Sequence, residues 1–373
     1  MKKLKEEEDM AFKDKLLKLI FTNQYLVDYL TRKDNRENNK DLLEWKKIFS
    51  KIDSIQDINS FKNNVMRYKS IVNRAQYLMC EGKESLLYGH VKMLYDYAGV
   101  EFKSPIYLSK IEHGINFYES SSVFDLPIQP SCYIFQGEYK KKYVNQKNIS
   151  TPIYAIGPYI HYAKEYYVDE EFRAFKSKIK KTLLIFPTHT YEMSKCEYDT
   201  REFVDKVYSL YGDKYDTIMV CAYWLDVDSR VYSVFEERGA IIVSAGARFD
   251  DKFISRLKTI IKLSDAVLVN DIGTNIGYAI YLKKKVMYMS IATKKSDITC
   301  DNLKEMKNYD NNEKLFREAF EQKDGKKIKK LYNYFWGGEK CLKTPEEIKE
   351  IISKSEKKVK YTMGYSILYK YLK

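Results

Sequence analysis

Apolar positions along the chain fall into two regimes. Up to about residue 100 they recur at three- and four-residue steps among Lys, Asp and Glu. Leu16, Leu19, Ile20, Leu26, Tyr29 and Leu30 form the first such stripe, and similar patterns run from Leu42 to Ile52 and from Asn59 to Met79. This period predicts amphipathic helices. Another helical pattern, Glu84 to Ala98, stops at Gly99, a residue suited to closing a helix. Beyond residue 100 the apolar runs shorten to strand length. Ile106 to Ile111, Ser131 to Phe135 and Pro152 to Ile156 form one series. Thr182 to Phe186, Thr217 to Ala222, Ala240 to Ser244, Ala266 to Val269 and Val286 to Met289 form a second. Helical segments separate most of the second series: Thr200 to Tyr211, Ser229 to Arg238, Asp251 to Leu263 and Asn275 to Leu282.

Continuous apolar strands alternating with helices predict parallel α/β layers, because such strands are covered on both faces. The charged stretch from Tyr162 to Lys181 has no strand character and separates the two series. The expected organisation is therefore a helical prefix and first Rossmann-like domain over 1–162, a linker over 163–181, a second Rossmann-like domain over 182–345, and a basic helical tail over 346–373. Two such halves predict a cleft between them, where ligands bind.

The length of 373 residues agrees with two domains, and 45% hydrophobic residues suffice for real cores. Lys+Arg number 65 against 52 Asp+Glu, a formal charge of +13, and the chain holds 34 Tyr but only 7 Pro. Such Lys- and Tyr-rich usage fits an AT-rich bacterial genome, which accounts for part of the basicity. The six cysteines are scattered without a CxxC pair, and only four histidines accompany them. Reduced thiols and no structural zinc are expected. No apolar run approaches the ~20 residues of a membrane span. The start, with acids behind its lysines, leads us to expect no signal peptide. A cytoplasmic protein is expected.

Candidate chemistry gathers at strand ends, the ligand-facing edge of a parallel sheet. Glu112-His113-Gly114 follows the first strand; His113 there serves as a general base, as a phosphate donor, or as an ordinary loop histidine. Pro187-Thr188-His189 follows Thr182 to Phe186, where Thr188 and His189 crowd the edge or Thr188 caps a helix. Asp271, Gly273, Thr274 and Asn275 follow Ala266 to Val269 at a helix start, whose free N–H groups and dipole favour phosphate. Gly246 and Arg248 follow Ala240 to Ser244, with room for a base or sugar and a cation for a diphosphate. Asp226 and Asp228 have the DxD form, too short a pattern to predict a metal.

In this order the motifs resemble those of bacterial surface-polysaccharide transferases with the two-Rossmann-domain GT-B fold. The capsule-type glycosyltransferases are the nearer resemblance, and the CDP-glycerol glycerophosphotransferases the more distant. The HG motif of that family is matched by His113-Gly114, and its PT motif by Pro187-Thr188. The phosphate loop is matched by Gly273-Thr274-Asn275, although paired serines of the family are replaced here by Thr274 and Asn275. The similarity in order covers about residues 84–290. It implies a nucleotide-sugar donor, CMP-, CDP- or UDP-linked, held by Gly273, Thr274, Asn275, Thr188, His189, Gly246, Arg248 and Asp271. It implies a glycan or lipid-linked acceptor deprotonated by His113 or Glu112, with no bound metal or cofactor. His113 as a phosphate ligand is an equally coherent assignment.

From Lys323 to Lys373, 14 Lys face 6 Asp+Glu, so this segment carries +8 of the charge. Mixed with Tyr and Leu, it suits the anionic inner face of a plasma membrane, or a helix packed back on the body. Two other functions compete. A UDP-sugar 2-epimerase uses the same architecture without an acceptor. A nucleic-acid-binding protein would match pI ≈ 9.0, but no RNA-module motif is present and the strand-end motifs favour a small-ligand site.

Overall fold

The computed structural model describes residues 54–56, 83–102, 109–124, 130–144, 146–189, 196–223, 226, 230–248, 250–295 and 303–355. The helical patterns before residue 80 fall largely outside these residues, as do Asp228 and the closing segment beyond residue 355.

The two series of short apolar runs form two parallel sheets. The first contains β1 (Lys110–Ile111), β2 (Tyr133–Phe135) and β3 (Ile153–Ala155), side by side in that order. The second contains β4 (Thr182–Phe186), β6 (Thr217–Ala222), β7 (Ile241–Ser244), β8 (Ala266–Val269) and β9 (Lys285–Tyr288), and all its pairings are parallel. Its order is β7-β6-β4-β8-β9. The chain thus winds outward from β4 to one edge, returns, and winds to the other through β8. In a doubly wound sheet the crevice outside the ends of those two central strands is the topological switch point. Between them in sequence, β5 (Cys196–Tyr198) pairs antiparallel with β10 (Thr293–Lys295).

The helices are α1 (His90–Tyr97), α2 (Asp169–Ile179), α3 (Thr200–Tyr211), α4 (Arg230–Glu237), α5 (Phe253–Leu263), α6 (Thr274–Tyr281), α7 (Leu303–Glu321) and α8 (Gly325–Trp336). A last helix, α9, covers 345–355. They explain why the strands read as unbroken apolar runs. Leu183 and Ile185 of β4 pack with Phe203 and Val204 of α3 and Phe235 of α4. Leu184, facing the other way, joins the cluster that holds Ile260 and Ile261 of α5. Each such aliphatic side chain contributes about 2 kcal/mol by leaving water.

The first sheet repeats this on a smaller scale. Tyr133 and Phe135 pack on Phe124, while Ile134 turns into the large cluster. That cluster runs from Ile111 and Ile134 through Phe117 and Trp336 to Leu184 and Val267, so both sheets share one core. The end of α8 fastens them. Phe335 and Trp336 are buried against Phe117, Gly137 lies against the Tyr334 carbonyl, and Gly277 lies against the Trp336 ring. A Cβ at either glycine would collide.

Two segments differ from the sequence pattern. The run Glu84 to Ala98 is not one helix: a 3-10 turn, Lys83–Gly89, breaks at Tyr88 (φ 59°) before α1 begins. Gly99 does close α1, with φ 64°. The charged stretch expected as the linker contains α2, which packs on the second sheet's layer. Its Lys176 Nζ donates to the Leu263 carbonyl at 2.9 Å and to Asp265 Oδ2 at 2.6 Å. Among the described residues no helix is long and apolar enough to cross a membrane.

Candidate functional site

The switch point is occupied by the segments that follow β4 and β8. Pro187 ends β4, and the Thr188 N–H then donates to Asn270 Oδ1 at 2.6 Å. The Thr188 hydroxyl donates to Asp271 Oδ2 at 3.0 Å. Asp271 Oδ1 accepts from the Ile272 N–H at 2.8 Å and from the Tyr309 hydroxyl at 2.6 Å. Two residues expected to touch a ligand therefore hold each other. Asp271 accepts from these three donors, which fixes the loop after β8. Asn270 is 4% exposed, and no described residue partners its Nδ2, leaving a buried donor at the switch point.

Helix α6 starts here. Gly273 is its extended N-cap, at φ −150°. A Cβ at this position would stand 2.6 Å from Asn275 Oδ1, so only glycine lets the Asn275 side chain fold back over the cap. The Thr274 Oγ1 accepts the Ile115 N–H at 2.9 Å. Its own proton remains available for donation, and the first N–H groups of the helix have no intrahelical partner. The same contact seats the His113-Gly114 turn on α6, because a Cβ on Gly114 would lie 3.1 Å from Thr274 Oγ1.

His113 leaves β1 at its C-terminal end. The residue as a whole is exposed, yet its pKa is lowered to about 4, first by desolvation and then by Lys110 and Arg248. Exposure together with desolvation describes a recessed position: solvent reaches the residue while protein surrounds the ring. Arg248, 5% exposed, comes from the loop after β7. Its carbonyl accepts the Tyr88 N–H at 2.5 Å, so the left-handed turn at Tyr88 docks the start of α1 onto the Arg248 loop. Tyr88 stacks over His113 with ring centroids 6.4 Å apart. His90, 1% exposed, lies in electrostatic reach of His113, and burial lowers its pKa to about 3.

Glu112 points away from solvent at 7% exposure. Its Oε1 accepts the Tyr139 hydroxyl, and burial raises its pKa to about 7 despite Tyr139 and Lys140. Tyr139 also accepts the Asn116 N–H at 3.0 Å, so Glu112 and Tyr139 brace the turn that carries His113.

The remaining expected residues divide. His189 stacks on Tyr223 at 3.9 Å, a flat aromatic platform beyond β4 and β6. Gly246 has a structural reason: at φ 99° it leaves room for Arg256, which forms a buried ion pair with Asp250 below the loop. Asp226 is half-buried. Among the described residues no group of three or more His, Cys, Asp or Glu could hold a metal ion.

Thus His113, Arg248, Thr274 and Thr188 come from four strand ends. Tyr88, His90 and Tyr223 were not singled out by sequence. Of these only Tyr223 had a usable signal, since it directly follows an apolar strand.

No protein-family model matches the chain, and neither does any curated protein. Among solved structures it is similar to the wall teichoic acid polymerase TagF, at 16% sequence identity and a TM-score of 0.35. The similarity covers 66% of this chain and 61% of that one, so the chain spans about three fifths of the polymerase's length.

Proposed function

We propose that the chain is a GT-B-type glycosyltransferase that moves a sugar, or a sugar-phosphate-like unit, from a nucleotide-activated donor to a hydroxyl of a bacterial surface glycan. The observation that carries this is the bond from the Ile115 N–H to Thr274 Oγ1 at 2.9 Å. It brings a histidine turn from one parallel sheet against the helix start at the switch point of another. A nucleotide phosphate fits the second place, where Thr274, the α6 N-terminus, the Asn270 amide and Arg248 offer donors and positive charge. An acceptor hydroxyl fits the first.

In the reaction the acceptor O–H gives its proton to His113 as its oxygen bonds to the transferred unit. The bond from that unit to the donor phosphate breaks, and its electron pair leaves with the phosphate. The donors at α6 meet that growing charge. His113 is neutral at pH 7 without ligand, as a base must be, but a pKa of about 4 makes a weak one. Burial holds it down first, and Lys110 and Arg248 add to that, so a bound phosphate that neutralises Arg248 raises it only in part. The basic tail is proposed to keep the enzyme at an anionic membrane surface, near lipid-linked acceptors.

Calorimetry with CMP, CDP, UDP and GDP, followed by turnover of the matching sugar conjugates, tests the assignment. One nucleotide should bind, and His113→Ala should abolish transfer while keeping that affinity. Near-normal turnover of His113→Ala would remove the base, and no binding of any nucleotide would remove the transferase. Conversion of a UDP-sugar without acceptor would select the epimerase.

A further inference from the structure

Tyr88 is held in a backbone conformation that tyrosine seldom adopts. With φ 59° at Tyr88 and 72° at Gly89, two consecutive residues lie in the left-handed region. For Gly89 the reason is close approach, since a Cβ there would collide with the Asp251 carbonyl oxygen. For Tyr88 the same conformation costs about 1–2 kcal/mol, and glycine or asparagine would make the turn for less. The position therefore keeps its tyrosine for the side chain.

Each part of Tyr88 has a partner around the proposed site. Leu87, just before it, is buried with Ile185 of β4 and Phe235 of α4, so the turn is rooted in the second sheet's layer. The Tyr88 N–H donates to the Arg248 carbonyl at 2.5 Å. Its hydroxyl shares a hydrogen bond with the Tyr223 side chain, which follows β6 and stacks on His189. The same hydroxyl is in electrostatic reach of Arg248 and of Tyr278 on α6. Its ring lies nearly parallel to His113, 24° apart in plane, and meets Phe253 edge-on at 4.7 Å.

His113 needs such a neighbour. The charged groups acting on it are Lys110 and Arg248, with His90 also in reach, and cations do not orient an imidazole. Among the described residues no hydrogen bond holds its ring, so packing sets its direction. Transfer depends on the spacing between the base and the groups that hold the donor phosphate. Tyr88 spans that interval, from the His113 ring to the Arg248 loop.

We infer that Tyr88 is a positioning residue, which holds the His113 ring in register with the Arg248 loop and with Tyr223. Its part in transfer rests on the transferase reading above, while the arrangement itself stands without it.

Tyr88→Gly tests this, because glycine keeps the left-handed turn and its N–H and removes only the side chain. An imidazole NMR titration reads His113, identified among the four histidines by its loss in His113→Ala. With the ring gone, water reaches His113, and its pKa should rise from about 4 to about 5 or above. The kcat of transfer should fall about tenfold or more. Nucleotide affinity by calorimetry should stay within about threefold, since the α6 donors and Arg248 remain. Tyr88→Phe, which keeps the ring, should recover most of both losses. Circular dichroism shows whether Tyr88→Gly is folded. If it is not, Tyr88→Asn, which also tolerates this conformation, carries the same measurements. An unchanged His113 pKa means that the ring does not hold His113, and the inference fails. It fails too if kcat stays within about threefold, or if nucleotide affinity falls as far as kcat, which would make Tyr88 a ligand contact. A chain that binds no nucleotide removes the transferase reading, and the His113 titration then still decides the arrangement.

Discussion

The Ile115 N–H and the Thr274 hydroxyl oxygen, 2.9 Å apart, tie the histidine turn of one sheet to the helix start of the other. The bond crosses 159 residues of sequence. Thr274 accepts through its oxygen and so fixes the turn; under the proposed function its own proton serves the donor phosphate.

Thr274→Val removes that acceptor and donor while nearly preserving volume, and adding Asn275→Ala also removes the amide folded over the cap. Stability should fall by about 1–3 kcal/mol, because the Ile115 N–H loses its partner, and nucleotide affinity should fall by about tenfold, or 1.4 kcal/mol. Thr274→Ser should recover most of both. Urea unfolding and calorimetry read the two effects. Unchanged affinity in the valine variant would take the phosphate away from this helix.

Gly246 separates a ligand role from a structural one. At φ 99°, an added Cβ would meet Arg256 Nη1 at 2.8 Å and Asp250 Oδ2 at 3.1 Å. Gly246→Ala therefore strains the backbone and pushes on a buried ion pair, at a cost of about 2–4 kcal/mol. Urea unfolding should show this loss without nucleotide present. A variant as stable as the unmutated chain, but weaker in nucleotide binding, would return Gly246 to the ligand.

The second sheet was legible because its strands are long enough to be covered on both faces. β4, β6 and β8 end where their apolar runs end, at Phe186, Ala222 and Val269. β1 is Lys110–Ile111 among the described residues, and the start of its apolar run, 106–108, lies outside them. Helix α2 was hidden by its composition, since Ile179 is its one fully buried residue and Phe172 and Phe175, only partly buried, stand among six charged positions. The break at Tyr88–Gly89 was hidden as well: the apolar period of Glu84 to Ala98 continues through a left-handed turn. That turn brings Tyr88 and His90 to His113, so both escaped notice. Gln136 could not be found by pattern, because its hydrogen bond with Tyr278 joins the end of β2 to α6. Thr188 and Asp271 were located at the right edge by sequence, but their bond to each other depends on β4 and β8 being neighbours.

The pH dependence of stability contains opposed contributions. Burial raises Glu112 from 4.5 to about 7, so the folded state holds a proton that the unfolded state has lost between those values. Its contribution is full below pH 4.5 and disappears as pH rises through 7. Burial lowers His90 from 6.5 to about 3, so its contribution is present above pH 6.5 and disappears as pH falls toward 3. Relative to Glu112→Gln, the unmutated chain should lose about 3 kcal/mol on going from pH 4.5 to 7. His90→Phe should flatten the acid side instead. Urea titrations at several pH values read both slopes, and a Glu112→Gln difference independent of pH would mean that the carboxyl titrates normally.

Trp336 fixes the helix that carries Thr274 from behind. Its indole Nε1–H donates to the Thr274 carbonyl at 3.1 Å, and its ring lies where a side chain on Gly277 would be. Gly277→Ala should therefore cost about 1–3 kcal/mol through overpacking, even though alanine is the better helix former. Trp336→Leu should cost about 3 kcal/mol or more through the lost burial and hydrogen bond. The informative quantity is their combination. With the indole gone, the added methyl has space, so Gly277→Ala should cost at least about 1 kcal/mol less in the Trp336→Leu background. A double-mutant cycle by urea unfolding measures this coupling. If the two losses add within about 0.5 kcal/mol, the ring is not what excludes a side chain at 277. If they couple, nucleotide affinity should fall in Gly277→Ala as well, because the displaced indole moves the first turn of α6 and with it the Thr274 hydroxyl.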